Sequence, residues 1–454
     1  MLFNSRAFLI GFLPVALGLY AVASRSERWR LPMLLAISVV FYGYWDWRLT
    51  PLLLASILVN WAVANLYCRT KNRHIITALI AANLSVLAVF KYLDFLLGSA
   101  ASVVGAPHDA IGLTLPLGIS FFTFHHVMYL TDLRDGKAPR YDALRYALYI
   151  AFFPQVLSGP LVRWNEFMHQ LDRGPFAPGW ERRAVTGVLL IVLGLVQKVF
   201  LGDRLATLVE PAFSAAVEGP VAAGLAWQGV LAFTFQIFFD FSGYSDIAIG
   251  LALLFGVRLP VNFAAPYRAA SLREFWRRWH MTLSRFLRDY LYVRLGGNRH
   301  GLTRQAAAIL ITMGLGGLWH GAGWTFVIWG LLHGLGLCAG MLWRRWKLPM
   351  NPVAGWALTF GFVMLAWVFF RAPTFEAAWR VLNGLFLQTG WGPDFRWRTI
   401  VTAAGIVFTA PPTQALVERL GVNRWVAVAA GVALAAVLLD IGGDSTVEFI
   451  YFRF

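Results

Sequence analysis

The residue with the clearest chemical potential is His320. It stands in Gly317-Leu-Trp-His-Gly-Ala-Gly-Trp324, inside an almost wholly apolar, glycine-rich stretch from Ala306 to Trp343. An ionisable side chain at membrane depth is disfavoured by several kcal/mol and needs a partner, a wet cavity or a function. Gly314, Gly316, Gly317, Gly321 and Gly323 remove side chains around it, so a second backbone or a ligand can approach closely. Gly317 and Gly321 also have the spacing of a close helix crossing. A neutral imidazole in this setting can accept a hydroxyl proton during acyl transfer, and Trp319 beside it is a candidate wall of the substrate site. His280, ending the run Phe275-Trp-Arg-Arg-Trp-His280, is the second candidate. Two imidazoles at one membrane boundary point to proton-transfer chemistry inside the membrane. The structural alternatives are a packed His320 bonded to a carbonyl and a His280 on the polar margin of an interfacial helix. His333 reads as packing. His125 and His126 are adjacent, point in different directions on a regular element and make a poor metal pair.

A polar island, Gln236 to Asp246, interrupts the apolar stretch 224–255 and supplies Asp240, Tyr244 and Asp246 as candidate substrate-binding residues. Six residues turn a helix by about 240°, so the two aspartates do not face together on one. A break at Ser242-Gly243 is expected. The alternative is a structural network that pairs with arginines or caps a broken helix. Lys198 and Asp203 read as a pair at a span boundary. Between positions 258 and 304 lie ten arginines against Glu274 and Asp289. Phe275, Trp276, Trp279, His280, Leu283, Phe286, Leu287 and Tyr290 share one face at helical period, with arginines opposite. That pattern predicts a helix lying in the membrane interface. Arg277 and Arg278, with Trp279 and Ser284 nearby, could hold the phosphates of an anionic donor through bidentate guanidinium contacts, or they could meet lipid headgroups. The chain has no nucleophile elbow, no phosphate loop or dinucleotide fingerprint and no zinc spacing. No metal site is expected.

These side chains must be positioned by membrane helices. Of the 454 residues 58% are hydrophobic and only 14% charged, against about 25% charged in soluble domains. The expected fold is all-α and polytopic, with roughly eleven to thirteen transmembrane or re-entrant helices around a central tunnel. The net charge of +16 reflects basic loops that orient a membrane protein, and no nucleic-acid motif accompanies it. Basic loops at 24–30 and 69–74 predict cytoplasmic placement, and the poorer connections at 44–48 and 98–110 an outer one, so the N-terminus lies outside. Residues 7–23 read as a retained span. Ala151 to Pro160, with two prolines and a glycine, cannot remain helical throughout. Irregular backbone at membrane depth is stable only inside protein or beside water, which predicts a re-entrant segment lining a cavity. The two cysteines, Cys68 and Cys338, match no redox spacing.

Several long stretches, in order, resemble the membrane-bound O-acyltransferases, closest to the bacterial branch of alginate and cellulose O-acetylation. They are Phe153 to Arg163, Gln236 to Gly250, Phe275 to Ser284, Arg288 to Arg299 and Gly317 to Trp324, with the ending Phe449 to Phe454. The resemblance implies one catalytic domain over 1–454: N-terminal spans to 110, a core over 111–343 and C-terminal spans from 344. It implies that His320 is catalytic and His280 a second functional position. It further implies a multi-pass protein of the bacterial inner membrane. No cofactor would stay bound. The donor would be acetyl-CoA or a carrier-protein acyl thioester, and the acceptor a polysaccharide hydroxyl. A periplasmic acetyltransferase partner, a polysaccharide-synthesis complex and membrane lipids would be its neighbours. D-alanyl transfer, as in teichoic acid synthesis, and precursor transport are the alternative readings.

Overall fold

A computed structural model describes residues 1–386, 390–392, 395–421, 423–441 and 449–450, with no strand among them. The resembling C-terminal stretch therefore lies outside the described residues from 451 onward. Among the described residues, six helices are long and apolar enough to cross a membrane: Trp47–Thr70, Arg73–Val104, Trp180–Glu218, Ala223–Leu254, Trp324–Arg345 and Pro352–Arg371. A seventh span arises if Trp397–Thr409 and Thr413–Leu420, bent by 70° at Pro411-Pro412, count as one. The expected eleven to thirteen included shorter pieces. Glu27–Gly43, Ile119–Arg134 and Arg424–Asp440 have 17, 16 and 17 residues, short of the roughly 20 that cross a 30 Å hydrocarbon layer without thinning it.

Helix 223–254 is continuous and almost wholly buried, so the expected break at Ser242-Gly243 is absent. Its glycines serve a helix crossing instead. A Cβ on Gly243 would lie 2.7 Å from the Gly194 carbonyl oxygen, and one on Gly194 would lie 2.5 Å from that of Gly243. Gly187 and Gly250 repeat the arrangement seven residues away, at 2.8 and 2.5 Å. Two such layers bring helix Trp180–Val196 into backbone contact with helix 223–254.

The predicted interfacial helix over 275–290 is interrupted. Leu272–Arg278 ends at an extended Trp279, His280 adopts the left-handed conformation (φ 41°, ψ 55°), and Met281–Phe286 follows. Residues 262–264 hold the corner: Ala264 N–H donates to the Arg278 carbonyl and Met281 N–H to that of Asn262. Periodicity could not show this, because the corner is set by a segment outside the helix.

The expected irregular segment is present. Ala143–Ala151 and Phe153–Val156 are separated at Phe152, and 157–163 has no helix. Residues 151–162 are buried throughout, as non-helical backbone at membrane depth requires.

Apolar packing divides into two clusters. One joins the N-terminal helices to 119–171, 189–199, 244–259, 283–287 and Trp319. The other joins 205–241, 263–279, Trp329, 363–385 and 400–407. The chain passes from one to the other between Phe241 and Tyr244, between Trp279 and Leu283, and between Trp319 and Trp329. His280 and His320 both lie on this seam.

Candidate active site

His280 is fully buried, with its ring edge-on to Phe241 at 4.7 Å and stacked on Phe263 at 6.4 Å. Its Nδ1 is 3.2 Å from Asn262 Oδ1, an acceptor, so Nδ1 carries the proton and Nε2 the lone pair. The same Asn262 oxygen accepts from Thr282 N–H at 3.2 Å and from Thr282 Oγ1 at 2.9 Å. Thr282 Oγ1 in turn accepts from Leu161 N–H at 3.0 Å. The irregular 157–163 segment and the His280 corner are thus tied through one threonine. A non-glycine residue in the left-handed region costs on the order of 1–3 kcal/mol, which the surrounding bonds must offset.

His320 is the last residue of helix Leu302–His320. Its ring centroid lies 4.8 Å from Trp319, 5.1 Å from Trp329 and 5.2 Å from Phe370. Close packing of helices 302–320 and 324–345 fixes it there. A Cβ on Gly317 would lie 2.2 Å from the Phe326 carbonyl oxygen, and one on Gly330 equally close to that of Met313. The crossing partner of Gly317 is therefore Gly330. Gly321 lies beyond the helix, where a Cβ would meet the Phe326 ring at 2.2 Å.

A cavity of about 160 Å³ reaches His320 and Trp319 from the end of the bundle that carries Trp45 and Leu115 to Gly118. Lys91 Nζ also lines it and donates to the Trp319 carbonyl. Lys91 was not singled out from the sequence; a lysine isolated in an apolar stretch was the available signal. His280 is not among the residues lining this cavity. The Trp319 ring lies 6.2 Å from that of His280 and 4.8 Å from that of His320.

The other candidates lie elsewhere. Asp240 pairs with Lys198 at 2.5 Å and accepts from Ile450 N–H at 2.9 Å, while Lys198 also bonds Asp203 at 2.7 Å. Asp246 accepts from Gln197 at 3.0 Å and from Gln414. Tyr244 packs between Phe3 and Phe449, at 5.1 and 4.3 Å. None of the three lines the His320 cavity. Arg278 pairs with Glu274, Arg277 is exposed, and neither lines that cavity. Trp279 stacks on Phe275 at 5.5 Å and packs against Trp367 at 5.1 Å. Ser284 Oγ donates to the Trp279 carbonyl at 3.3 Å. His125 is held by Phe121 O and Val162 N–H, and His126 by Tyr146 and Ser56. His333 accepts from Trp276 at 3.3 Å and packs on Trp329.

The site thus brings a buried histidine at a helix end, a cavity reaching it and a second clamped histidine to one seam. The profile described as MBOAT, membrane-bound O-acyltransferase family, matches residues 39–379. The chain belongs to the membrane-bound O-acyltransferase family. It is 37% identical over 422 residues to a peptidoglycan O-acetyltransferase of Helicobacter pylori, covering 85% of this chain and 80% of that one. It is 38% identical over 409 residues to a probable alginate O-acetylase of Pseudomonas aeruginosa, covering 86% and 76%. A teichoic acid D-alanyltransferase of Streptococcus thermophilus is 30% identical over 282 residues, covering 56% and 68%. The protein is a multi-pass membrane O-acyltransferase.

This acyltransferase has a second cavity, of about 450 Å³, lined by Asp132, Arg163, Trp164, Asp289, Tyr290 and Arg294 among others. Helix Ile119–Arg134 runs between the two: Ile119 lines the first and Asp132 the second. Thirteen residues at 1.5 Å each separate them by about 20 Å. Arg163 and Arg288 bond Asp289, and Arg294 bonds Asp135. Burial pushes both carboxyls up, but the arginines outweigh it and hold both below the usual carboxylate range.

Proposed function

We propose that the protein transfers an acetyl group from a cytoplasmic thioester, acetyl-CoA or an acyl carrier protein, to a hydroxyl outside the inner membrane. The acceptor is a cell-envelope or secreted polysaccharide, or a periplasmic partner that completes the transfer within a polysaccharide-synthesis complex. The observation that carries this reading is the placement of His320, on a seam within the bundle and at the end of a cavity. The arginine-bounded cavity faces the cytoplasm in this reading, because basic loops resist translocation. The Trp45 end then faces outward.

In the reaction, the acceptor oxygen attacks the thioester carbonyl, forming the C–O bond as the C–S bond breaks. His320 takes the hydroxyl proton and returns it to the departing thiolate. A thioester is already activated, so holding the carbonyl and hydroxyl in line supplies several kcal/mol of the barrier reduction. His280, with its proton directed at Asn262, lies on the same seam, its ring 6.2 Å from that of Trp319.

O-acetylation is favoured over D-alanyl transfer because the O-acetylating relatives match at 37–38% across 85–86% of the chain, against 30% across 56%. The test is the ester content of the envelope and secreted glycans in cells with and without this gene. Loss of O-acetyl on deletion, restored by the wild-type chain, supports the proposal. Loss of D-alanyl ester with O-acetyl unchanged replaces it with the second reading.

A further inference from the structure

We propose that a cavity beside the bend at Pro411-Pro412 is a regulatory site for a single-chain membrane lipid whose head donates hydrogen bonds and carries no phosphate. The inference goes beyond the transferase reading and does not rest on it. The cavity, of about 210 Å³, lies between helix 223–254 and the helices on either side of the bend. Neither His280 nor His320 lines it. Leu201, Phe238, Ile406, Pro411 and Leu416 give it apolar walls, and Ile406 is exposed where the bundle meets lipid. Its volume is far above the roughly 10–15 Å³ that one water needs. The polar part of the lining is one hydrogen-bonded group. The buried Asp246 accepts from Gln197 at 3.0 Å and from Gln414, and Thr413 is a third donor within reach. Lys198 bonds Asp203 and Asp240 instead, and among the described residues no cation lies within 4.0 Å of Asp246. A carboxyl at membrane depth without a counter-charge marks a functional site. A carboxylate has about four acceptor positions, so a donor on a ligand can fill the one that remains. Among the described residues no lysine or arginine lines the cavity to hold a phosphate.

The bend also ties this cavity to His280. Pro411 lacks an N–H, so the Val407 carbonyl loses its partner along the helix. Arg268 supplies one at 3.2 Å and bonds the Ala410 carbonyl as well. The segment leading to Arg268 faces two ways. Phe263 and Ala265 line the cavity. Asn262 and Ala264, alternating with them, hold the His280 corner. The Asn262 side chain accepts from His280 at 3.2 Å and its carbonyl from Met281 N–H at 2.9 Å, while Ala264 N–H donates to the Arg278 carbonyl at 3.0 Å. Phe263 also stacks on the His280 ring at 6.4 Å. A lipid chain in the cavity would buttress Phe263 against that ring and restrain residues 262–265, so occupancy tightens the corner that positions His280.

The experiment uses the purified full chain in lipid nanodiscs. The probes are dodecanol, dodecylamine and dodecanoate, each with a diazirine in mid-chain, and mass spectrometry maps the cross-links after photolysis. Dodecanol and dodecylamine should label the lining within 238–246 and 406–416 at least about tenfold more than dodecanoate. Labelling by the amine alone assigns an ammonium head, and labelling by both assigns any donor head. Asp246→Asn should bring the ratio near one. Ala410→Phe, which fills the cavity and leaves Asp246 in place, should abolish labelling there. Equal labelling by dodecanoate in the wild type, no labelling of the lining, or labelling that survives Ala410→Phe overturns the proposal. Hydrogen exchange over 262–282 is the second readout. The favoured probe should slow it several-fold in the wild type and cause no further slowing in Ala410→Phe. Labelling with unchanged exchange overturns the regulatory role. Neither readout depends on turnover, so failure of the transferase reading would leave both intact.

Discussion

His320 carries the sharpest prediction at the scale of single residues. His320→Ala should lower acyl transfer by about 10²–10⁴-fold, the usual contribution of a general base, while the protein inserts at wild-type levels. Glycan O-acetyl content measured beside membrane abundance checks both halves, and normal O-acetylation in the variant rejects the assigned role. Asn262 is the second. Its side-chain oxygen receives His280, Thr282 N–H and Thr282 Oγ1, and a stranded buried donor costs about 1–3 kcal/mol. Asn262→Ala should therefore lower the melting temperature and turnover together, read by thermal unfolding in detergent and by transfer rate. The histidines were legible in the sequence because ionisable groups are conspicuous among apolar ones. Asn262 was not, since its meaning lies in a contact with a residue 18 positions away, and Lys91, though conspicuous, gave no hint of its partner 228 positions away.

Among elements, glycine had two readings, as a helix breaker or as a place of close approach. At Gly159 both hold: the chain is irregular, and a Cβ would fall 2.6 Å from Pro154 O. At Gly243 the second holds. Composition alone cannot separate them, because the deciding partner, Gly194, sits on another helix. Gly317→Ala should push helices 302–320 and 324–345 apart, destabilising by about 1–3 kcal/mol and displacing His320. Thermal unfolding together with transfer rate reads it, and wild-type values for both would show that the crossing tolerates a methyl. The arginine-bounded cavity gives a pH prediction. Asp135 and Asp289 have carboxyls held below their usual range when folded. Their stabilising contribution is complete above the unfolded value near pH 4 and is lost as pH falls through the folded value. Thermal stability in detergent should hold from about pH 8 to 5 and drop below about pH 4. A double substitution, Asp135→Asn with Asp289→Asn, should flatten that drop.

For the whole molecule, the all-α, multi-pass character followed directly from composition. The number of full spans did not, because short buried helices and crossing helices look alike in hydropathy. The partition into two apolar clusters was invisible in the sequence, since it depends on which residues of one helix face which neighbours. Sidedness is testable at this scale. A cysteine placed at Asn298, in the arginine-rich 258–304 loop, should resist an impermeant thiol reagent in intact cells and react once the cells are opened. Ready labelling in intact cells would reverse the orientation.

The bond from Ile450 N–H to Asp240 has a consequence for biosynthesis. Phe449 lies over the Lys198 ammonium at 4.7 Å and against Tyr244, so a segment 210 residues beyond Asp240 covers the ion pair. A ribosome delivers that cover after helix Arg424–Asp440, and chains fold from the N-terminus as they emerge. Most helices can enter the membrane while the charged pair still waits for its lid. A nascent chain stalled before Phe449 would then present an incompletely covered charge at membrane depth, the kind of defect that membrane proteases recognise. Turnover of chains truncated after position 448, compared with untruncated ones in a pulse-chase, would show whether arrival of Phe449 and Ile450 acts as the maturation checkpoint.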